Sequence, residues 1–186
     1  MFIKINYILE ASKVQGPGTR FTIWVQGCSI RCQSCKNKDT WDFNSGESIN
    51  IDTLATKIKK SSSTGLTITG GEPLDQFDAV YNLITKVSND KDIFLCSGYT
   101  LKQINDDPYK RTILSCIDMI CAGPFDETQI CQSEWKGSRN QEIACFSKRA
   151  NELRQKHKPL KTEYRINKHT GQVLVTGFTV PSSDVF

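Results

Sequence analysis

An α/β fold with a mostly parallel sheet and a C-terminal β-hairpin extension is predicted by three observations in this 186-residue chain. Segments of strand character alternate with segments of helical periodicity, which argues for right-handed β-α-β crossovers. Four strand-like segments each run directly into a distinctive turn: Gly27-Cys28, Gly70-Gly71-Glu72-Pro73, Ser97-Gly98-Tyr99 and Ala122-Gly123-Pro124-Phe125. Ligands of parallel sheets gather at the carboxyl ends of the strands, so these turns are expected to share one face. The tail differs: two β-rich runs flank Lys168-His169-Thr170-Gly171, which reads as a hairpin with glycine in the turn.

Phe2 to Leu9 carries β-rich residues in rough alternation. After the Gly16-Pro17-Gly18 breaker, Phe21, Ile23 and Val25 face one way and Thr22, Trp24 and Gln26 the other, so this strand ends at Gly27. Ile51, Leu54, Ala55 and Ile58 recur at helical spacing and predict an amphipathic helix from Asp52 to Lys60. Leu66 to Thr69 is a short strand, and Phe77, Val80, Tyr81, Ile84 and Val87 mark a second helix. Asp92 to Cys96 and Cys116 to Cys121 are the next two strands, and Glu163 to Asn167 with Gln172 to Thr176 form the hairpin. The length suits one domain, with a core over residues 1–147 and a basic segment plus hairpin over 148–186 as an extension of it.

The composition, 38% hydrophobic and 24% charged, is that of an ordinary soluble protein, and a net charge of +4 is too mild to argue for direct nucleic-acid binding. No apolar run approaches the ~18 residues of a membrane span, and no signal peptide precedes the first strand. A cytoplasmic protein with its eight cysteines reduced is expected. The basic stretch Lys148 to Lys161 reads as a solvated helix face plus linker, with a docking patch for an acidic partner as the alternative. Cys96, Cys116, Cys121, Cys131 and Cys145 contain no C-x2-C pair and read as small buried apolar residues, a second metal site being the alternative. His157 and His169 receive no ligand role.

The chemistry lies in Cys28-x3-Cys32-x2-Cys35. A structural zinc site closes its tetrahedron with four protein ligands, and no fourth cysteine or histidine is near in sequence. Three thiolates can instead hold three irons of a cubane cluster and leave the fourth iron open to a small molecule.

This triplet followed by Gly70-Gly71-Glu72-Pro73 resembles the radical S-adenosylmethionine enzymes. Gly16-Pro17-Gly18-Thr19-Arg20, Trp24-Val25-Gln26-Gly27-Cys28 and Asn37-Lys38-Asp39-Thr40-Trp41 are similar to the glycyl-radical-enzyme activases among them. Ser97-Gly98-Tyr99, Gly123-Pro124-Phe125 and Trp135-Lys136-Gly137-Ser138-Arg139-Asn140-Gln141 narrow the resemblance to the activases of anaerobic ribonucleotide reductase. The similarity runs from Met1 to about Glu142; the chain departs from the family in carrying Ser34 before the third cysteine and Ala122 before Gly123.

The resemblance implies a partial, open β/α barrel. It implies that Cys28, Cys32 and Cys35 ligate a [4Fe-4S] cluster and act in catalysis, that Ser34 and Lys36 flank the adenine of S-adenosylmethionine, and that Cys35 is also a cofactor contact. Gly70 and Gly71 would admit the backbone to the amino-acid end of that cofactor, and Glu72 would accept from its ammonium or fix the turn. Ser97 reads either as a contact to the ribose or carboxylate or as a small turn residue. Arg20 reads either as a contact to a partner or cofactor carboxylate or as a surface salt bridge. Trp41 and Trp135 read as packing residues, while Arg139 and Asn140 become a functional rim only through the resemblance. The implied partners are a glycyl radical enzyme, anaerobic ribonucleoside-triphosphate reductase, and a one-electron donor such as flavodoxin. Two other readings stay open: a radical enzyme that modifies a peptide or small molecule, and a non-catalytic iron–sulfur or zinc module that recruits Cys96 or Cys121 as a fourth thiolate.

Overall fold

The computed structural model describes residues 1–131, 134–166 and 173–177. In chain order it forms β1 (Phe2–Ser12), β2 (Arg20–Val25), β3 (Glu47–Asn50), α1 (Ile51–Lys60), β4 (Gly65–Gly70), α2 (Phe77–Val87) and β5 (Asp92–Ser97). Then follow α3 (Leu101–Asp106), α4 (Pro108–Arg111), β6 (Met119–Ala122), β7 (Glu142–Cys145), α5 (Lys148–Lys156), β8 (Thr162–Ile166) and β9 (Val173–Gly177). Seven strands make one sheet in the order β3-β1-β2-β4-β5-β6-β7. The four central strands, β2, β4, β5 and β6, are parallel neighbours, and β1, β3 and β7 complete the sheet antiparallel.

The period-2 pattern of the strands divides the sheet into two faces. Phe21, Ile23, Val25, Leu66, Ile68, Ile93, Leu95 and Ile120 join Leu54, Ile58, Val80, Leu83 and Ile84 of α1 and α2 in the main apolar core. Each such buried branched side chain contributes about 1.5–3 kcal/mol. Local capping starts the helices where the strands leave off: Asn50 Oδ1 accepts from Asp52 N–H at 2.9 Å and Thr53 N–H at 3.2 Å ahead of α1. Thr100 and Gln103 form a reciprocal capping box at α3. On the opposite face Phe94, Met119 and Cys121 pack with Trp135 and Ala150 in a smaller cluster.

The expected strand from Cys116 to Cys121 begins only at Met119. Cys116 instead closes the 3-10 turn Thr112–Ser115, its N–H donating to Ile113 O at 3.0 Å. β3 and β7 were not anticipated; each is four residues long and lies at an edge of the sheet, where half-exposed side chains show no alternation. β8 and β9 pair antiparallel from Thr162↔Gly177 to Ile166↔Val173, and the expected turn Lys168 to Gly171 lies outside the described residues. The basic stretch places α5 on the surface, with Ala150 as its buried contact.

Arg20 is neither a surface ion pair nor a ligand contact. It is 0% exposed at the amino end of β2, opposite the cysteine loop, and its guanidinium pairs with Asp92. Nε donates to Thr67 Oγ1 at 3.0 Å, and Nη2 donates to Leu66 O at 2.6 Å and Asp92 O at 3.2 Å. Such a charge survives burial because its partner and its hydrogen bonds compensate the lost water.

Candidate active site

Three short segments are stitched together at the carboxyl ends of β2 and β4. The residues after β2 fold back on themselves: Gly27 N–H donates to Thr40 O at 2.7 Å and Cys28 N–H to Trp41 O at 3.2 Å. Asp75, two residues after Pro73, accepts from Ser29 N–H at 2.6 Å and Ser29 Oγ at 2.9 Å, tying the start of the cysteine loop to the Gly-Gly-Glu-Pro turn. Gln76 Nε2 donates to Lys4 O at 2.8 Å and Gln26 O at 2.9 Å, so one side chain spans β1, β2 and the same turn. Gln26 in turn reaches Asp39 O at 3.1 Å and Asp42 O at 2.8 Å. Sequence reading placed Gln26 on a strand and in a motif without giving it a role and did not single out Asp75 or Gln76; the signal was a polar side chain at a strand end or directly after a turn motif, where backbone groups are left to be satisfied.

Gly70 and Gly71 are required by backbone packing. Gly70 has φ +102, and a Cβ there would stand 2.6 Å from Trp24 Cα. A Cβ on Gly71 would fall on the carbonyl of Gly27. Their absence of side chains lets the end of β4 lie directly against the entry to the cysteine loop.

Glu72 is 1% exposed and belongs to the same junction. Its Oε1 accepts from Leu74 N–H and Ser97 Oγ, each at 2.9 Å, and its Oε2 accepts from Gly98 N–H at 2.7 Å. Burial pushes its carboxyl up to about 7, against the opposing pull of these donors. Of the two expected roles, these bonds fill the turn-fixing one, and Ser97 hands its hydroxyl to Glu72 while accepting from Tyr99 N–H at 3.1 Å.

The four strand-end turns do converge. Cys28, Cys32, Cys35, Gly70, Gly71, Glu72, Ser97, Gly98 and Gly123 all line one cavity of about 730 Å³. That volume is within the usual range for small-molecule sites. Lys36 stands exposed at its wall, whereas Ser34 is half-buried and outside the lining. Arg139 and Asn140 are exposed and also outside it, while their neighbours Gly137 and Gln141 are in it. Gln141 acts as a staple: Oε1 accepts from Gly137 N–H at 2.8 Å and Nε2 donates to Gly123 O at 2.9 Å. Trp41 lies under the Lys38 ammonium at 5.6 Å rather than in the cavity; Trp135 is in the cavity wall.

Whether this site fits a cluster turns on the donor set. The three thiols lie along one loop and face one cavity, and Asn37 N–H donates to Cys35 Sγ at 3.3 Å. Among the described residues no three of His, Cys, Asp or Glu converge on a single ion. Soft thiolates that each take a different iron do not need to converge. Burial pushes the Cys28 thiol up, so ligation there has to displace its proton. Cys96 and Cys121, registered neighbours on β5 and β6, face the same cavity. Burial pushes Cys96 up to about 12 and Cys121 well above the ordinary thiol range, which holds both as neutral thiols. The residues present fit a cluster held by three cysteines.

A family model described as a 4Fe-4S single cluster domain matches residues 14–144. The fold and the cysteine site thus define a single-cluster iron–sulfur protein. The chain is 37% identical over 148 residues to the anaerobic ribonucleoside-triphosphate reductase-activating protein of Vibrio cholerae, covering 72% of this chain and 92% of that one. The proteins of the same name from Pasteurella multocida and Enterobacteria phage T4 are 36% and 33% identical, covering 77% and 75% of this chain and 99% and 93% of their own. It belongs to the family of anaerobic ribonucleoside-triphosphate reductase-activating proteins. The crystal structure of QueE from Escherichia coli overlaps 54% of each chain at a TM-score of 0.46 and 19% identity, too loosely to bear on the site. No helix among the described residues is long and apolar enough to cross a membrane.

Proposed function

We propose that this chain is a cytoplasmic activase that takes a hydrogen atom from a glycine Cα of anaerobic ribonucleoside-triphosphate reductase, leaving a glycyl radical there. The observation that carries the reading is the common cavity shared by Cys28, Cys32, Cys35 and the Gly70-Gly71-Glu72 turn. A [4Fe-4S] cluster, when bound, supplies the electron that splits S-adenosylmethionine into methionine and the carbon radical that becomes 5′-deoxyadenosine on taking the glycine hydrogen. The electron comes from an external one-electron donor of the flavodoxin class.

In this reading Cys28, Cys32 and Cys35 hold the cluster and Lys36 borders the adenine, whereas Ser34 lies outside the cavity wall. Gly70 and Gly71 keep the floor of the cofactor site free of side chains. Glu72 positions rather than reacts: its carboxylate binds Ser97 and Gly98, which keeps the β4 and β5 turns in register beneath the cofactor. The cavity walls exclude water from the radical. The sheet is taken as a partial, open β/α barrel, because Tyr7 of β1, Trp24 of β2, Cys96 of β5 and Cys121 of β6 border one cavity. Residues 1–147 form the activase core and 148–186 an appended segment, in keeping with a family match that stops at residue 144.

The test is anaerobic reconstitution with iron and sulfide, then electron paramagnetic resonance of the dithionite-reduced protein with and without S-adenosylmethionine, with 5′-deoxyadenosine quantified. The expected result is a [4Fe-4S]⁺ signal that changes on adding the cofactor, with deoxyadenosine formation abolished in Cys32→Ala. A cluster signal indifferent to the cofactor would overturn the reading.

A further inference from the structure

Trp24, Thr69, Cys96 and Cys121 stand on the four parallel strands β2, β4, β5 and β6, and all four line the cavity. Trp24 pairs in register with Thr69, and Cys96 with Cys121. Thr69 and Cys96 directly follow the registered pair Ile68 and Leu95, so the row runs unbroken across the sheet. Gly70 and Ser97 come next in the chain. The row is therefore the floor of the cavity, one residue beneath the turns assigned to the cofactor, and it carries two thiols that do not hold the cluster.

The two thiols differ in access. Cys121 is 3% exposed, whereas Cys96 is half-buried. β5 is flanked by β4 and β6, and its opposite face carries Ile93 and Leu95, both 0% exposed in the main core. Successive side chains of a strand point to opposite faces. The surface that Cys96 leaves open is therefore on the cavity side. Burial pushes its thiol up to about 12, against the opposing pull of the Thr69 hydroxyl, so the sulfur keeps its hydrogen at neutral pH.

A thiol that keeps its hydrogen is a hydrogen-atom donor, because its S–H bond is weaker than the C–H bond that a primary carbon radical forms. A site that handles such a radical has to exclude competing reactions. A radical formed before a glycine has arrived would otherwise take hydrogen from the surrounding chain. We propose that Cys96 is the hydrogen-atom donor that quenches the carbon radical when no partner glycine occupies the cavity. The hydrogen atom passes from Sγ to the radical carbon, giving 5′-deoxyadenosine and a sulfur radical. One electron from the external donor and one proton from water then restore the thiol. The inference rests on the activase reading above and adds to it a residue that protects the chain while the partner is absent.

The full, cluster-loaded chain is given S-adenosylmethionine and dithionite in heavy water without the reductase, and the isotopic content of 5′-deoxyadenosine is read by mass spectrometry. The Cys96 thiol exchanges with solvent, so the wild-type product is expected to carry deuterium. Cys96→Ser keeps an exchangeable hydrogen but in a much stronger O–H bond, and the deuterated fraction is expected to fall about tenfold or more. Cys96→Ala is expected to fall with it, and Cys121→Ala to keep the wild-type fraction. In the cluster-free chain, methyl methanethiosulfonate followed by peptide mapping is expected to modify Cys96 about tenfold faster than Cys121. A wild-type product free of deuterium overturns the donor, and so does a wild-type fraction in Cys96→Ser. Equal labelling of Cys96 and Cys121 overturns it too, since the thiol would then not open on the cavity. So does deoxyadenosine made only when the reductase is present, because no radical would then form without a glycine to meet it. A chain that makes none with or without the reductase refutes the activase reading instead.

Discussion

Glu72 accepts a hydrogen bond from Gly98 N–H at 2.7 Å, joining the turn after β4 to the turn after β5 through a carboxylate that is almost wholly buried. Two consequences follow for stability. The bond fixes a junction on which the cavity depends, and it makes one buried proton a pH-sensitive element.

Burial raises the Glu72 carboxyl from 4.5 to about 7. The folded protein thus holds this proton more tightly than the unfolded chain does. The stabilisation from that proton is full below about pH 4.5 and is lost as pH rises to about 7. Over that window the cluster-free protein should lose about 3 kcal/mol from this group. Urea unfolding at a series of pH values checks it: the wild-type curve should slope downward between these limits, and Glu72→Gln should flatten the slope. Parallel curves for the two proteins would contradict the assignment.

Gly65 and Arg20 share one volume. A Cβ on Gly65 would collide with the Arg20 guanidinium and with Asp92 Oδ2. Gly65→Ala is therefore expected to disrupt the buried pair and destabilise the chain by about 3 kcal/mol or more, although its backbone conformation needs no glycine. The denaturation midpoint of the cluster-free variant measures this directly, and a shift corresponding to less than about 1 kcal/mol would mean the pair can move aside.

Iron and sulfide content after anaerobic reconstitution should separate the cysteines into two groups. Cys28→Ala, Cys32→Ala and Cys35→Ala should each retain little iron. Cys96→Ala and Cys121→Ala should retain the wild-type amount, because burial keeps both thiols neutral and a neutral thiol is a poor ligand. Loss of iron in either of the latter would point to four-thiolate ligation.

Asp75→Ala removes the two bonds that anchor Ser29. Asp75 is only half-buried, so global stability should fall by about 1 kcal/mol. The larger effect should be on retention of iron: transfer to a chelator should be about fivefold faster or more, as the loop opens more often. Unchanged chelator kinetics would show that the loop does not rely on this anchor.

Much of this architecture was legible in the chain itself. Phe21, Ile23 and Val25 alternate because one face of β2 meets the main core, and all three are fully buried there. The four turns could be assembled on one face because topology alone sends the carboxyl ends of parallel strands the same way. What escaped was determined by long-range pairing. β3 and β7 acquire strand conformation only by adding to β1 and β6. Arg20 reads as a contact to a partner or cofactor carboxylate or as a surface salt bridge until Asp92, seventy-two positions later, is brought beside it. Glu72 reads as an ammonium acceptor or a turn-fixing residue alike until Ser97 and Gly98, twenty-five and twenty-six positions on, are brought to its oxygens. The pattern of a sequence reports which side of an element is buried far better than which polar group will meet which.

The cysteine loop is braced by Thr40, Trp41 and Asp75, and the main apolar core lies on the other face of the sheet. Small zinc domains collapse when stripped because the metal is their core. Here the receptacle outlasts its contents. An encounter with oxygen that destroys the inorganic centre would leave an intact, empty chain, ready to be refilled rather than replaced, and the cell would then need to repair a cluster instead of synthesising a protein.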